Sequence, residues 1–144
     1  MRLNSRQKGL LRGIWHDRQR LAAVNISALD GLSRGRYGLL RRRTRMAREH
    51  GLVPMNLAGW IGHPPTNSER VICHRQCVRL EAMGLIERHN LHSGRRTTHI
   101  RLTPAGEHLA RELVLDEALE PAEGFDLDAV EIEPLYLPEE EGTR

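Results

Sequence analysis

Aromatic side chains are scarce. Trp15, Tyr37, Trp60, Phe125 and Tyr136 are the whole set, 3% of the chain. That is too few for an RNA-binding sheet, which stacks bases on ring platforms. Long apolar runs are missing too. Nothing approaches the roughly 20 residues a membrane helix needs, and the opening MRLNSRQKGLLRG lacks the apolar stretch of a signal peptide. The expectation is a soluble, cytoplasmic protein without membrane partners. Cysteine is confined to Cys73 and Cys77. Four apart on one helix, their Cβ atoms would lie about 5–6 Å apart, beyond the roughly 3.5–4.5 Å of a disulfide, so nothing points to an oxidising compartment. Also absent are a phosphate-binding glycine loop, a nucleophile elbow and paired carboxylates ahead of the acidic C-terminal stretch. These gaps exclude the usual catalytic frameworks. The chain reads as a non-enzyme with no cofactor.

Lysine is nearly missing as well: Lys8 stands alone among 22 basic residues. The positive charge is therefore guanidinium, which forks well onto phosphate and guanine. A formal net charge of +3 conceals a strong segregation of sign. Residues 1–112 hold 21 Arg and Lys against 8 Asp and Glu, whereas residues 113–144 hold Arg144 alone against 11 acids. A basic body with an acidic tail suggests a polyanion partner. The rest is ordinary globular material: 144 residues, 39% hydrophobic and 28% charged, a prior of one domain, or one with an appendage, around one modest core.

Asn4 or Ser5 can cap a first helix, whose apolar residues Leu10, Leu11, Ile14, Trp15, Leu21 and Ala22 recur at helical spacing. The segment 25–32 breaks it. Ser33 is placed to cap a second helix ending near His50, with Gly51 in the stop position. That helix is expected to carry Tyr37, Leu40 and Ala47 on one face and Arg34, Arg41, Arg45 and Arg48 on a neighbouring stripe. Pro54 is read as opening a short helix that Gly62 and Pro64-Pro65 stop. Thr66 and Glu69 then form a capping box for the next helix, expected to run to about Met83 with Gly84 ending it. Residues 85–88 and 97–102 read as two short strands joined by a turn over 90–96. Thr103 caps a last helix, with Pro104 in its first position.

Three fragments in this order have a counterpart. Leu57-Ala58 followed by Ile61-Gly62, then Arg79-Leu80-Glu81 with Gly84-Leu85-Ile86 and Arg88, then Leu102-Thr103-Pro104-Ala105-Gly106 resemble the winged helix-turn-helix module of MarR-type bacterial transcription regulators. The resemblance covers residues 55–113. It implies a fold that is mainly α with a small β-hairpin (α+β), preceded by extra N-terminal helices and followed by an acidic tail. The corresponding division is residues 1–50 as a basic helical region, 51–114 as the winged helix-turn-helix, and 115–144 as the tail. The turn His92-Ser93-Gly94-Arg95-Arg96 lacks the acid that braces an arginine in that family. The family's long dimerisation helix is cut short here at Pro121; a homodimer stays among the partner expectations.

Such a fold lays the 67–83 helix in the major groove and the 90–96 wing on backbone or minor groove. The family frame turns Leu80 inward, with Cys73 and Cys77 on its side, and leaves Ser68, His74, Arg75 and Arg79 facing away. Arg75 can fork onto guanine; Asn67, Ser68 and Arg70 meet bases or phosphates; Arg95 and Arg96 enter the minor groove or pair with phosphates. Arg41 and Arg45 extend the basic surface. Val71 and Val78 fall opposite Leu80, either packing on the N-terminal helices or, for Val71, touching a thymine methyl. The cysteine pair has a second reading, a soft-metal site completed by His63, His74, His89 or His92; burial in the core is the first. The function expected is a transcription regulator on double-stranded DNA. The alternatives are a replication or mobile-element DNA-binding protein, and a winged-helix module for protein contacts. The tail is expected to bind the protein's own basic face or another protein.

Overall fold

The computed structural model describes residues 2–29, 35–92 and 94–119. Helix α1, Ser5–Ala22, starts on Asn4, whose side chain accepts the Gln7 N–H at 2.8 Å while the Gln7 side chain accepts the Asn4 N–H at 3.0 Å. Two otherwise orphaned donors are satisfied reciprocally. Leu10, Leu11 and Ile14 of α1 are fully buried, and α1 packs against all the other helices described. Each such side chain contributes roughly 1.5–3 kcal/mol by leaving water.

A 3-10 turn at Ile26–Leu29 follows, then α2, Gly35–His50. Gly51 ends α2 at φ +68° and donates back to the Ala47 carbonyl at 3.1 Å. The expected cap, Ser33, lies outside the described residues, as does Arg34. The buried face of α2 is Gly38, Thr44 and Ala47, small residues that let it approach α1. Tyr37 does not share that face: it is 50% exposed, with the Arg36 guanidinium 5.3 Å from its ring centre. A large ring would not fit where only small side chains pack.

Strand β1, Leu52–Pro54, was not anticipated. Pro54 ends this strand instead of opening a helix. It pairs with His99 at the edge of the sheet, a position where the missing N–H is tolerated. Helix α3, Leu57–Ile61, is capped by Asn56 and stopped by Gly62 at φ +90°. Helix α4, Asn67–Ala82, opens on the Thr66–Glu69 capping box, and Gly84 (φ +78°) follows it. Strands β2, Ile86–His89, and β3, His99–Leu102, make the expected hairpin. With β1 they form an antiparallel sheet of order β1-β3-β2. Helix α5, Pro104–Leu119, continues five residues past position 114. The architecture is thus mainly helical with a small antiparallel sheet. Its core joins α1 to Val53, Trp60, Cys77, Leu80, Leu85, Ile86, Ile100, Leu102 and Ala110.

Two of the sequence fragments meet at one point. The Leu85 carbonyl accepts the Thr103 N–H at 3.1 Å. The Thr103 hydroxyl donates to the Gly84 carbonyl at 2.6 Å and accepts the Gly106 N–H at 3.0 Å. A Cβ at Gly106 would stand 1.8 Å from the Leu85 oxygen. The glycine lets α5 dock on the turn that leaves α4.

Candidate nucleic-acid interface

Helix α4 is held from both sides. Inward, Cys73, Gln76, Cys77 and Leu80 are buried. The Gln76 side-chain oxygen accepts from Gln7 Nε2 at 2.9 Å and from Asn4 Nδ2 at 3.4 Å, a polar clamp onto α1. At its far end Glu81 accepts the Arg88 backbone N–H at 3.1 Å and the Arg88 Nε at 2.8 Å. The first of these bonds, then the guanidinium, holds Glu81 below the usual carboxylate range. Arg88 therefore ties β2 to α4. Helix α3 is fixed by Asp17, a buried carboxylate of α1 that accepts from Trp60 Nε1 at 2.8 Å and Asn56 Nδ2 at 2.9 Å and also pairs with Arg20. Trp60 in turn lies directly against Gly13.

At the start of α4, Glu69 accepts the Thr66 N–H at 2.9 Å and meets His63 Nε2 at 2.9 Å. The backbone bond first, and His63 second, lower its pKa. The exposed surface of the helix then presents Asn67, Ser68, Arg70, His74, Arg75 and Arg79. The loop between β2 and β3 presents Arg95 and Arg96, both exposed, next to Gly94 at φ +113°. In that loop the Asn90 side chain accepts the His92 N–H at 2.8 Å, and the Thr98 hydroxyl accepts the Leu91 N–H at 2.9 Å. The hairpin below it is stiffened where Arg101 forks onto Glu87, at 3.0 and 2.8 Å, across the β2–β3 register.

Arg70 and His74 of α4 come together with Arg95 and Arg96 of the loop around one cavity of about 440 Å³. Asn67, Ser68 and Arg75 continue outward along the exposed surface. Arg79 instead lines a separate concavity beside Arg2, at the start of α1. Arg41 is half-buried and Arg45 exposed on α2, and neither lines the α4–loop cavity. Arg48 does not belong to a free stripe. Its guanidinium donates to the Ala22 and Val24 carbonyls at 2.8 and 2.6 Å, pinning α2 to the end of α1. Arg43 of α2 lines a neighbouring concavity together with Met55 and Asn56, residues that line the α4–loop cavity too. Nothing in its spacing singles it out, because the neighbour it meets, β1, was not foreseen. His99 on β3 is kept below its ordinary pKa first by partial burial, then by the positive fields of His92, Arg43 and His89.

Asp17 and Gln76 also went unmarked in the sequence. Their signal was a polar residue on a buried stripe: Gln7-Leu10-Ile14-Asp17 on α1 and Cys73-Gln76-Cys77-Leu80 on α4. Cys73 and Cys77 are free and buried, and burial raises the Cys77 thiol to about 11. Among the described residues no three His, Cys, Asp or Glu side chains gather as a metal site. Val71 and Val78 do not pack on the N-terminal helices; they are 50% and 38% exposed. Among the described residues no helix is long and apolar enough to cross a membrane. No family model, curated protein or solved structure matches this chain.

Proposed function

We propose that this protein is a DNA-binding transcription regulator in which residues 51–114 act as a winged helix-turn-helix module, α4 entering the major groove and the 90–96 loop lying on backbone or minor groove. The observation that carries this reading is the convergence of Arg70, His74, Arg95 and Arg96 from two separate elements on one open cavity. Three guanidiniums and an imidazole brought together without acids among them suit a run of phosphates, which position a protein on duplex while base contacts specify. The neighbouring acids are already engaged, Glu69 by Thr66 and His63, Glu81 by Arg88. A replication or mobile-element protein would use the same surface in the same way.

Binding of the whole chain to short duplexes, followed by fluorescence anisotropy across a salt series, tests the proposal. Neutralising about 4–8 phosphates gives a slope of log K against log salt near −4 to −7. Arg96→Ala should weaken binding to all sequences alike and flatten that slope by about one. A flat salt profile would defeat the DNA reading and favour protein contacts instead.

A further inference from the structure

Half a turn from the buried line of α4 runs a second line, Ser68, Val71, Arg75, Val78 and Ala82, spaced by three and four, and all five are exposed. Two valines, 50% and 38% exposed, thus stand in water on either side of a guanidinium. The surroundings are cationic. Arg70 and His74 flank the line on the side of the 90–96 loop, and Arg79 flanks it on the other. The two acids of α4 are turned to Thr66, His63 and Arg88.

A ridge of methyl groups and one free-reaching guanidinium, bordered by positive charge, has a chemical complement in the floor of the DNA major groove. Guanine offers O6 and N7 there, and thymine offers its 5-methyl group. We propose that α4 reads a 5-methylated pyrimidine beside a guanine, with Arg75 forked onto the guanine and Val71 packed on the methyl. This rests on the DNA-binding reading above. Val71 and Arg75 are one turn apart, with Cβ atoms about 5–6 Å apart, so their contacts fall within about two base steps of 3.4 Å. Val71 rather than Val78 takes the methyl because it lies in the N-terminal half of α4 with Asn67 and Ser68, the part of such a helix that meets base edges.

The test starts from the duplex that the full chain selects out of a random pool. Each thymidine is replaced in turn by deoxyuridine, which removes the methyl and leaves the pairing edge intact; a cytosine beside guanine is replaced by 5-methylcytosine. At one position next to guanine, loss of the methyl should weaken binding about three- to fivefold, the worth of one buried methyl, or its gain should tighten binding equally. With Val71→Ala that sensitivity should vanish, whereas Arg96→Ala, which weakens binding to all sequences alike, should keep it. A selected duplex indifferent to every methyl overturns the inference and leaves DNA binding standing. So does a methyl effect that persists in Val71→Ala. Altered self-association of Val71→Ala without a methyl effect would assign the ridge to a second copy of the chain. A pool from which nothing binds would bring down the DNA reading itself.

Discussion

Gly106 occupies a place that a methyl group cannot share, because its absent Cβ would fall 1.8 Å from the Leu85 carbonyl oxygen. That oxygen belongs to backbone already bonded to Thr103, so it cannot swing aside as a flexible side chain would. Gly106→Ala should therefore cost stability at or above the top of the roughly 1–3 kcal/mol range for overpacking. Gly9 is the matched control. A Cβ there meets nothing within 4 Å, and it lies inside α1, so Gly9→Ala should stabilise by about 0.5–1 kcal/mol through helix propensity. Thermal denaturation of the two variants should move in opposite directions. Equal shifts would mean that the docking of α5 on the α4 exit does not limit stability. The same contact explains why a glycine and a threonine stand in the fragment Leu102–Gly106, and why that fragment accompanies Gly84-Leu85-Ile86.

At the scale of elements, β3 carries a histidine lowered first by its burial and then by its neighbours' charge. His99 is partly buried and faces His92, Arg43 and His89, so its folded pKa lies below the ordinary 6.5. The unfolded chain then takes up a proton before the folded one does. Stability should be complete above about pH 6.5, fall as pH drops through that value, and level off below the folded pKa. Between about pH 7.5 and about pH 5.5, wild type should lose more melting temperature than His99→Gln. Identical pH slopes would remove His99 as the cause. A duplex that neutralises Arg43 and His92 should also raise the His99 pKa, which NMR titration of free and bound protein would reveal. Elements marked by capping chemistry or by a terminal glycine were readable in advance: Thr66 with Glu69, Thr103 with Pro104, and Gly51, Gly62 and Gly84 at helix ends. Strand β1 was not, because three residues are too few for alternation to register and proline argued against a strand. Once β1 was missed, Arg43 could not be placed around one concavity with Pro54, Met55 and Asn56. Tyr37 was misplaced because helical periodicity identifies a face but not the depth available beneath it.

For the whole molecule the governing feature is charge divided along the chain. Through residue 119 there are 21 Arg and Lys against 10 Asp and Glu; beyond it, Arg144 stands against nine acids. The acids alternate with Phe125, Leu127, Val130 and Ile132, a pattern of segments that dock on a surface. These residues lie outside those described; what acts here is their charge and their tether to the basic body. A tether keeps the acidic stretch at high effective concentration around the basic surface, where phosphates would otherwise sit. Competition of this kind weakens non-specific binding most, because that mode is almost wholly electrostatic, whereas specific binding keeps its base contacts. Since α5 continues to Leu119, a cut at residue 115 would truncate the helix and confuse the result. A chain ending at Leu119 is the proper comparison. It should bind random duplex more tightly than the full chain at low salt, with a smaller gain on a selected site, and the difference should fade as salt shortens the Debye length to about 10 Å at 0.1 M and below beyond it. Equal affinities at low salt would free the tail from this role and leave its acids for another partner.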